Sequence, residues 1–324
     1  MPGAEPIFLA GPTGSGKSAI ALALAPRVEG EIISVDSMQV YRGMDIGTAK
    51  ASAAEQRQTR HHLISILDLD QSFDAAQFVQ LAKTAAADIA ARGRIPIFCG
   101  GTGLYFQAYL KGLGQAPPSN HKLRSELERI SSECLLQELQ ESDPVTYAQI
   151  DRKNRRRVIR ALEVIRLTGT PFSEQRAGWH LRPGPSTDAS GKPGPSNFFC
   201  LAREREDLYH RIDERVEKMF AFGLVEETRK LVETGLATNR TALQALGYRQ
   251  VYEYLAGQYS LTETIERVKR GTRQYAKRQM TWFRRQAEMQ WLPVAQGESP
   301  RNVAERIDHL YGARRAATAG GNVP

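Results

Sequence analysis

An α/β fold, a parallel sheet flanked by helices, is predicted by three features of this 324-residue sequence. Short apolar runs alternate with helix-like stretches through its first third, as in a parallel sheet with crossover helices. The runs empty into turns marked by glycine or aspartate, the positions where such sheets bind ligands. The first run leads into "GPTGSGKS", Gly11–Ser18, which fits the phosphate-loop pattern G-x-x-x-x-G-K-[ST]. The sheet is therefore expected to be P-loop NTPase-like, with a mainly helical insertion further along the chain.

The elements follow in order. "PIFLA" (Pro6–Ala10) is the strand before the loop, and "SAIALALAPRV" the helix after it. "EIISVDS" (Glu31–Ser37) reads as a second strand with Asp36 at its carboxyl end. "FDAAQFVQLAKTAAADIAARG" (Phe73–Gly93) is an amphipathic helix closed by glycine. "IPIFCGGTGLY" (Ile95–Tyr105) is a strand running into a glycine turn. From about Ser119 to Gly169 the pattern is helical, with no strand. "RPGPSTDASGKPGPSN" (Arg182–Asn197) has the composition of a mobile loop. "FFCLA" (Phe198–Ala202) reads as a strand returning to the sheet, helices follow, and "AEMQWLPV" (Ala287–Val294) is a final strand. The small, polar tail after about Arg314 is expected to be disordered. The domains expected are a core, residues 1–118 and 198–324, and a helical insertion, 119–197, whose stretch 183–196 is a flexible loop.

Composition narrows the function. The formal net charge is +8, which favours a polyanionic partner. Cys99, Cys134 and Cys200 lack disulfide or zinc spacing, so a reducing, cytoplasmic setting is expected. The start shows no secretory pattern, and no apolar run approaches the length of a membrane span. No feature demands a dimer, so a monomer is expected.

Three strand ends carry candidate chemistry. In the loop Gly11, Pro12, Thr13, Gly14, Ser15, Gly16, Lys17 and Ser18, glycines let the backbone wrap anionic oxygens. Lys17 reaches the terminal phosphate and Ser18 helps hold Mg2+. The loop detects a diphosphate without saying which one. Asp36 suits a general base or a metal ligand, or simply a turn acid. Thr102 in "CGGTGLY" suits a phosphate or leaving-group oxygen, or a tight turn. No second strand-end acid marks an ATPase: Asp68 ends an apolar stretch, but not a convincing strand. His61 and His62 read as surface or packing residues. The runs "RKNRRRVIRALEVIR" (Arg152–Arg166) and "ERVKRGTRQYAKRQMTWFRR" (Glu266–Arg285) offer cations and aromatics that suit nucleic-acid phosphates and unpaired bases, or simply form solvated charged helices.

With "DSMQVYRGMDIGTAK", "GGTGLY", "NRRRVIRALEV", "ALGYRQ" and "TRQYAKRQMTWFRRQ" added to the loop, all in order to about residue 292, the sequence resembles the bacterial tRNA dimethylallyltransferases, or tRNA isopentenyltransferases. The resemblance implies transfer of a dimethylallyl group from dimethylallyl diphosphate to the exocyclic amine of the adenosine 3′ of the anticodon. The loop then cradles a diphosphate on carbon, with Mg2+ as cofactor. Asp36, Thr102, Lys17 and Arg215 become catalytic, Arg215 chosen over Arg211 by position. The implied contacts to the tRNA anticodon stem-loop are Asp36, Ser37, Met38, Gln39, Thr102, Arg124, Arg156, Arg157, Val158, Ile159, Arg160, Gln244, Gly247, Tyr248, Arg249, Thr272, Arg273, Lys277, Arg278 and Gln279. A P-loop kinase, or a prenyl transferase acting on free adenylate, would use the same loop but leaves the basic helical half without a task.

Overall fold

The computed structural model describes residues 5–114, 116–175, 197–286 and 289–320, excluding the side chains of His121 and 314–320. The stretch 183–196 expected to be a flexible loop lies outside them. The first third runs β1 (Ile7–Ala10), α1 (Lys17–Leu24), β2 (Gly30–Val35), α2 (Ala53–Gln58), β3 (His61–His62), α3 (Ala75–Ala91), β4 (Ile95–Gly100) and α4 (Gly103–Lys111). The middle is helical, with α5 (His121–Leu127), α6 (Ser132–Ser142), α7 (Pro144–Gln149), α8 (Arg155–Thr168) and α9 (Phe172–Gln175). Then come β5 (Phe198–Ala202), α10 (Arg205–Ala221), α11 (Leu224–Glu233), α12 (Tyr248–Leu255), α13 (Leu261–Arg284), β6 (Gln290–Pro293) and α14 (Pro300–Gly320). The chain divides into two compact units, Gln107–Pro183 and the remainder.

In the larger unit six strands form one parallel sheet, in the order β3-β2-β4-β1-β5-β6. The P-loop-type α/β sheet expected from the sequence is present. Alternating side chains separate its two faces. Ile7, Leu9, Ile97 and Leu201 join α1 and the α14 residues Val303, Ile307 and Tyr311 in one apolar layer. Phe8 points the other way, stacking on Phe98 at 4.9 Å between centroids and packing against Phe198 and Phe106. Register sets the strand ends level: Ala10 pairs with Gly100, and Gly100 with Val35. The next residues, Gly11, Asp36 and Gly101, therefore start side by side. Gly100 is required there, because a Cβ would lie 2.1 Å from the Val35 carbonyl oxygen.

Two elements differ from the sequence reading. The pair His61–His62 forms the edge strand β3, and the His62 Nε2 meets the buried Glu31 carboxylate at 2.7 Å. Two residues are too short for any periodic signal. The tail expected to be disordered after Arg314 continues α14 to Gly320, because "ARRAATA" is rich in strong helix formers.

In the smaller unit α8 is the central helix. Asn154 caps its start and Gly169, left-handed at φ 73°, ends it. It buries Val158, Ile159, Ala161 and Leu162 against Leu127, Leu135 and Leu139. The fully buried Glu163 accepts hydrogen bonds from the Asn120 N–H (2.7 Å), Arg124 Nε (3.1 Å) and Arg160 (2.6 Å). Asp143 caps α7 and accepts bonds from the Ser173 N–H and hydroxyl.

Candidate active site

The glycine loop turns from β1 into α1 through two left-handed glycines, Gly14 at φ 83° and Gly16 at φ 92°. Gly14 is also needed for close approach, since a Cβ would sit 2.8 Å from Ile212. No side chain caps α1, so its first-turn N–H groups face open space with positive potential, as an anion site requires. Lys17 Nζ rests 3.2 Å from the Pro12 carbonyl oxygen. Burial pulls the Lys17 pKa down, as does Arg215, while the Asp36 carboxylate pulls it up.

The loop opens into a cavity of about 970 Å3. Asp36 lines it, with Oδ1 held by the Met38 N–H (2.8 Å) and Gln39 N–H (3.3 Å). This turn leaves Oδ2 without a hydrogen-bond partner among the described residues. A carboxylate fixed through one oxygen and open at the other can accept a proton in a set direction. Cys99 also reaches the cavity, but burial pushes its thiol up to about 12, so it stays protonated.

One wall comes from the chain after β2. Lys50 latches it, with Nζ bonded to the Tyr41 carbonyl (2.7 Å), Asp45 (2.7 Å) and Ser65 (2.9 Å). Glu227 of α11 accepts the Ile46 N–H at 2.9 Å and the Tyr248 hydroxyl at 2.5 Å. The Gly47 N–H donates to that same hydroxyl at 3.0 Å. A Cβ on Gly47 would lie 2.4 Å from the Tyr248 ring, so "DIG" can pack only as glycine.

The opposite wall is α10, whose arginines grip the loop. Arg211 Nε donates to the Gly14 carbonyl (3.0 Å), and Arg215 donates to Thr13 Oγ1 (3.3 Å). Both line the cavity, so the fold brings both arginines weighed in the sequence to the loop. Burial lowers the Arg215 pKa and Asp36 opposes that. Arg203, ion-paired with Asp207, donates to the Ser15 carbonyl at 2.9 Å. The sequence reading missed Arg203. It follows β5 directly, two residues beyond the level of Asp36 in the sheet register, and its place just after a strand was the available signal.

Several candidates also have tasks within the fold. Val158 and Ile159 are core residues of the smaller unit. They face inward because a helix alternates buried and exposed sides, whereas a motif runs continuously. Tyr248 is buried under Gly47, and Gly247 carries the left-handed start of α12, its N–H held by Gln250. Gln39 bonds Ser34 Oγ and the Thr48 carbonyl. Thr272 bonds the Val268 carbonyl, and Arg273 pairs with Asp213. Arg124 and Arg160 are held by Glu163. Thr102 does not line the cavity; its N–H meets the Val35 carbonyl and its own carbonyl starts α4. Gln279 is buried beside the glycine loop. Arg156, Arg157, Gln244, Arg249, Lys277 and Arg278 remain exposed, while Ser37 and Met38 are half-buried beside Asp36.

Sheet and loop together define a P-loop α/β protein with an anion cradle and a carboxylate in one cavity. The model of the IPP transferase family matches residues 39–286, and the chain belongs to that family. It is 46% identical over 290 residues to tRNA dimethylallyltransferase 1 of Trichlorobacter lovleyi, covering 88% of this chain and 92% of that one. Its fold is similar to the tRNA isopentenylpyrophosphate transferase of Bacillus halodurans, with a TM-score of 0.70 and 36% identity over 99% of this chain and all of that one. A eukaryotic dimethylallyltransferase acting on tRNA also matches, with a TM-score of 0.70 and 28% identity over 89% of this chain and 73% of that one.

Proposed function

We propose that this chain transfers the dimethylallyl group of dimethylallyl diphosphate to the exocyclic amine of the adenosine 3′ of the anticodon, in tRNAs reading codons that start with U. The observation that carries this reading is the shared cavity of Lys17, Asp36, Arg211 and Arg215, in a chain whose relatives are named for this reaction. The amine nitrogen attacks the allylic carbon as the carbon–oxygen bond breaks. That bond's electron pair leaves with diphosphate, and the amine proton passes to Asp36 Oδ2. An exocyclic adenine amine is a poor nucleophile, so its proton leaves only as the new bond forms, and an ordinary carboxylate suffices. Lys17, Arg215 and the open N–H groups of α1 face the charge that grows on the leaving oxygen.

Ser18 lines the cavity with its side chain exposed. No group of three His, Cys, Asp or Glu among the described residues could hold a metal. Ser18 would hold a Mg2+ through its hydroxyl, since a magnesium ion bound chiefly by substrate phosphates needs few protein ligands. When bound, it neutralises leaving-group charge.

The exposed Arg156, Arg157, Gln244, Arg249, Lys277 and Arg278 suit contacts to the tRNA, with the helical insertion engaging the anticodon stem-loop. The target base must leave its stack to enter the cavity, at a cost of about a few kcal/mol. The thiols Cys99, Cys134 and Cys200 are free, which supports a reducing compartment, the cytoplasm. To test the reading, labelled dimethylallyl diphosphate and Mg2+ are supplied with an anticodon stem-loop or with AMP. Label is expected on the stem-loop. Label on AMP alone, or ATP-dependent phosphorylation without prenyl transfer, overturns the reading.

A further inference from the structure

Gln279 sits on the inner side of α13, 7% exposed. Its amide makes two hydrogen bonds to main-chain groups far away in sequence. Oε1 accepts the Thr13 N–H at 2.8 Å, and Nε2 donates to the Gly101 carbonyl at 2.9 Å. One side chain thereby joins the phosphate loop after β1 to the turn after β4. Its neighbours are shaped for that approach. A Cβ on Gly101 would lie 2.3 Å from Nε2, and a Cβ on Gly103 would lie 2.3 Å from the Trp282 ring. Thr13 is a double node: Gln279 takes its N–H while Arg215 donates to its hydroxyl.

We propose that Gln279 is a positioning residue that sets the phosphate loop in the conformation that binds diphosphate, acting through the Thr13 N–H. This rests on the reading of Gly11–Ser18 as a diphosphate cradle. The Thr13 N–H is held by the fold and is not available to a ligand, so the anion must be met by the groups beyond it, Gly14 to Ser18. Without the amide of Gln279, a part-buried N–H and a buried carbonyl lose their partner, which is costly enough to reshape a glycine-rich loop. A leucine there fills similar space and makes neither bond. A glutamate keeps an acceptor for Thr13 but sets an acceptor-only carboxylate against the Gly101 carbonyl.

The test uses the full chain, inorganic diphosphate with Mg2+ as probe, and the anticodon stem-loop as a separate ligand. Gln279→Leu is expected to weaken diphosphate binding by about tenfold or more, and to raise KM for dimethylallyl diphosphate in parallel. Amide exchange at Thr13 should speed up, and stem-loop affinity should stay within about twofold. Gln279→Glu should fall between wild type and Gln279→Leu in diphosphate affinity, and it serves if the leucine variant fails to fold. Unchanged diphosphate affinity with stem-loop binding lost would make Gln279 an RNA contact and overturn the proposal. Diphosphate binding is read without prenyl transfer, so this outcome is separate from any failure of the proposed reaction.

Discussion

Replacing Asp36 by Asn separates the shape of the site from its chemistry. Asp36 Oδ1 accepts two N–H groups, at 2.8 and 3.3 Å. Asn keeps an oxygen in that place, so the turn survives. The loss is the charge on two hydrogen bonds, about 1 kcal/mol of stability or less, because a charged acceptor is roughly twice as strong as a neutral one. What disappears is the proton acceptor at Oδ2. General-base catalysis contributes about a hundredfold to ten-thousandfold, equivalent to about 2.7–5.4 kcal/mol of barrier. Single-turnover transfer to a stem-loop should therefore slow by that factor, with stem-loop affinity nearly unchanged. Asp36→Ala should slow transfer equally and also destabilise the turn by about 1–3 kcal/mol. An Asn variant within tenfold of wild type would refute the proton-acceptor role. Equal stability loss in both variants would refute the account of the turn.

Other consequences can be read from charge and burial. Glu163→Ala should destabilise the helical unit by about 1–3 kcal/mol, below the usual cost of breaking a buried pair because Arg124 and Arg160 can turn to water; hydrogen exchange across α5 to α8 reads it, and unchanged protection contradicts it. Burial alone would raise the Glu31 pKa, but hydrogen bonds from His62 and Arg92 hold it below its ordinary value of 4.5. The stability it adds is present above that value and is lost as pH falls through the lower folded value. Urea unfolding across that acid range should show a shallower loss in Glu31→Gln; an acid limb parallel to wild type would count against the network. Arg156→Ala and Arg157→Ala should each weaken tRNA binding and lower the slope of log affinity against log salt by about 0.7–0.9 if one phosphate contact is lost. An unchanged slope removes that residue from the RNA surface.

The sheet was legible wherever a strand is buried on both faces. "IFLA", "IPIFCG" and "FFCLA" are continuous apolar runs for that reason. The edge pair His61–His62 carries no such signal. The glycine loop and Asp36 were legible because neighbouring residues in sequence make the local geometry. The clamp on the loop was not. Arg203, Arg211 and Gln279 reach it from 188 to 266 residues away, and apart from the place of Arg203 just after a strand, nothing in a linear pattern reports such contacts. The same limit hides the tasks that Val158, Ile159, Tyr248 and Gln279 have within the fold. A sequence motif joins residues that a helix then divides between core and solvent, and the smaller unit's core claims Val158 and Ile159.

In the proposed reaction the bond broken joins carbon to oxygen, with the glycine loop holding the leaving group. Dimethylallyl diphosphate carrying heavy oxygen at the bridging position shows which bond breaks. All of the label should leave in diphosphate, and the prenylated adenosine should carry none. Label retained on the five-carbon group, or a phosphoryl group found on any acceptor, would contradict it.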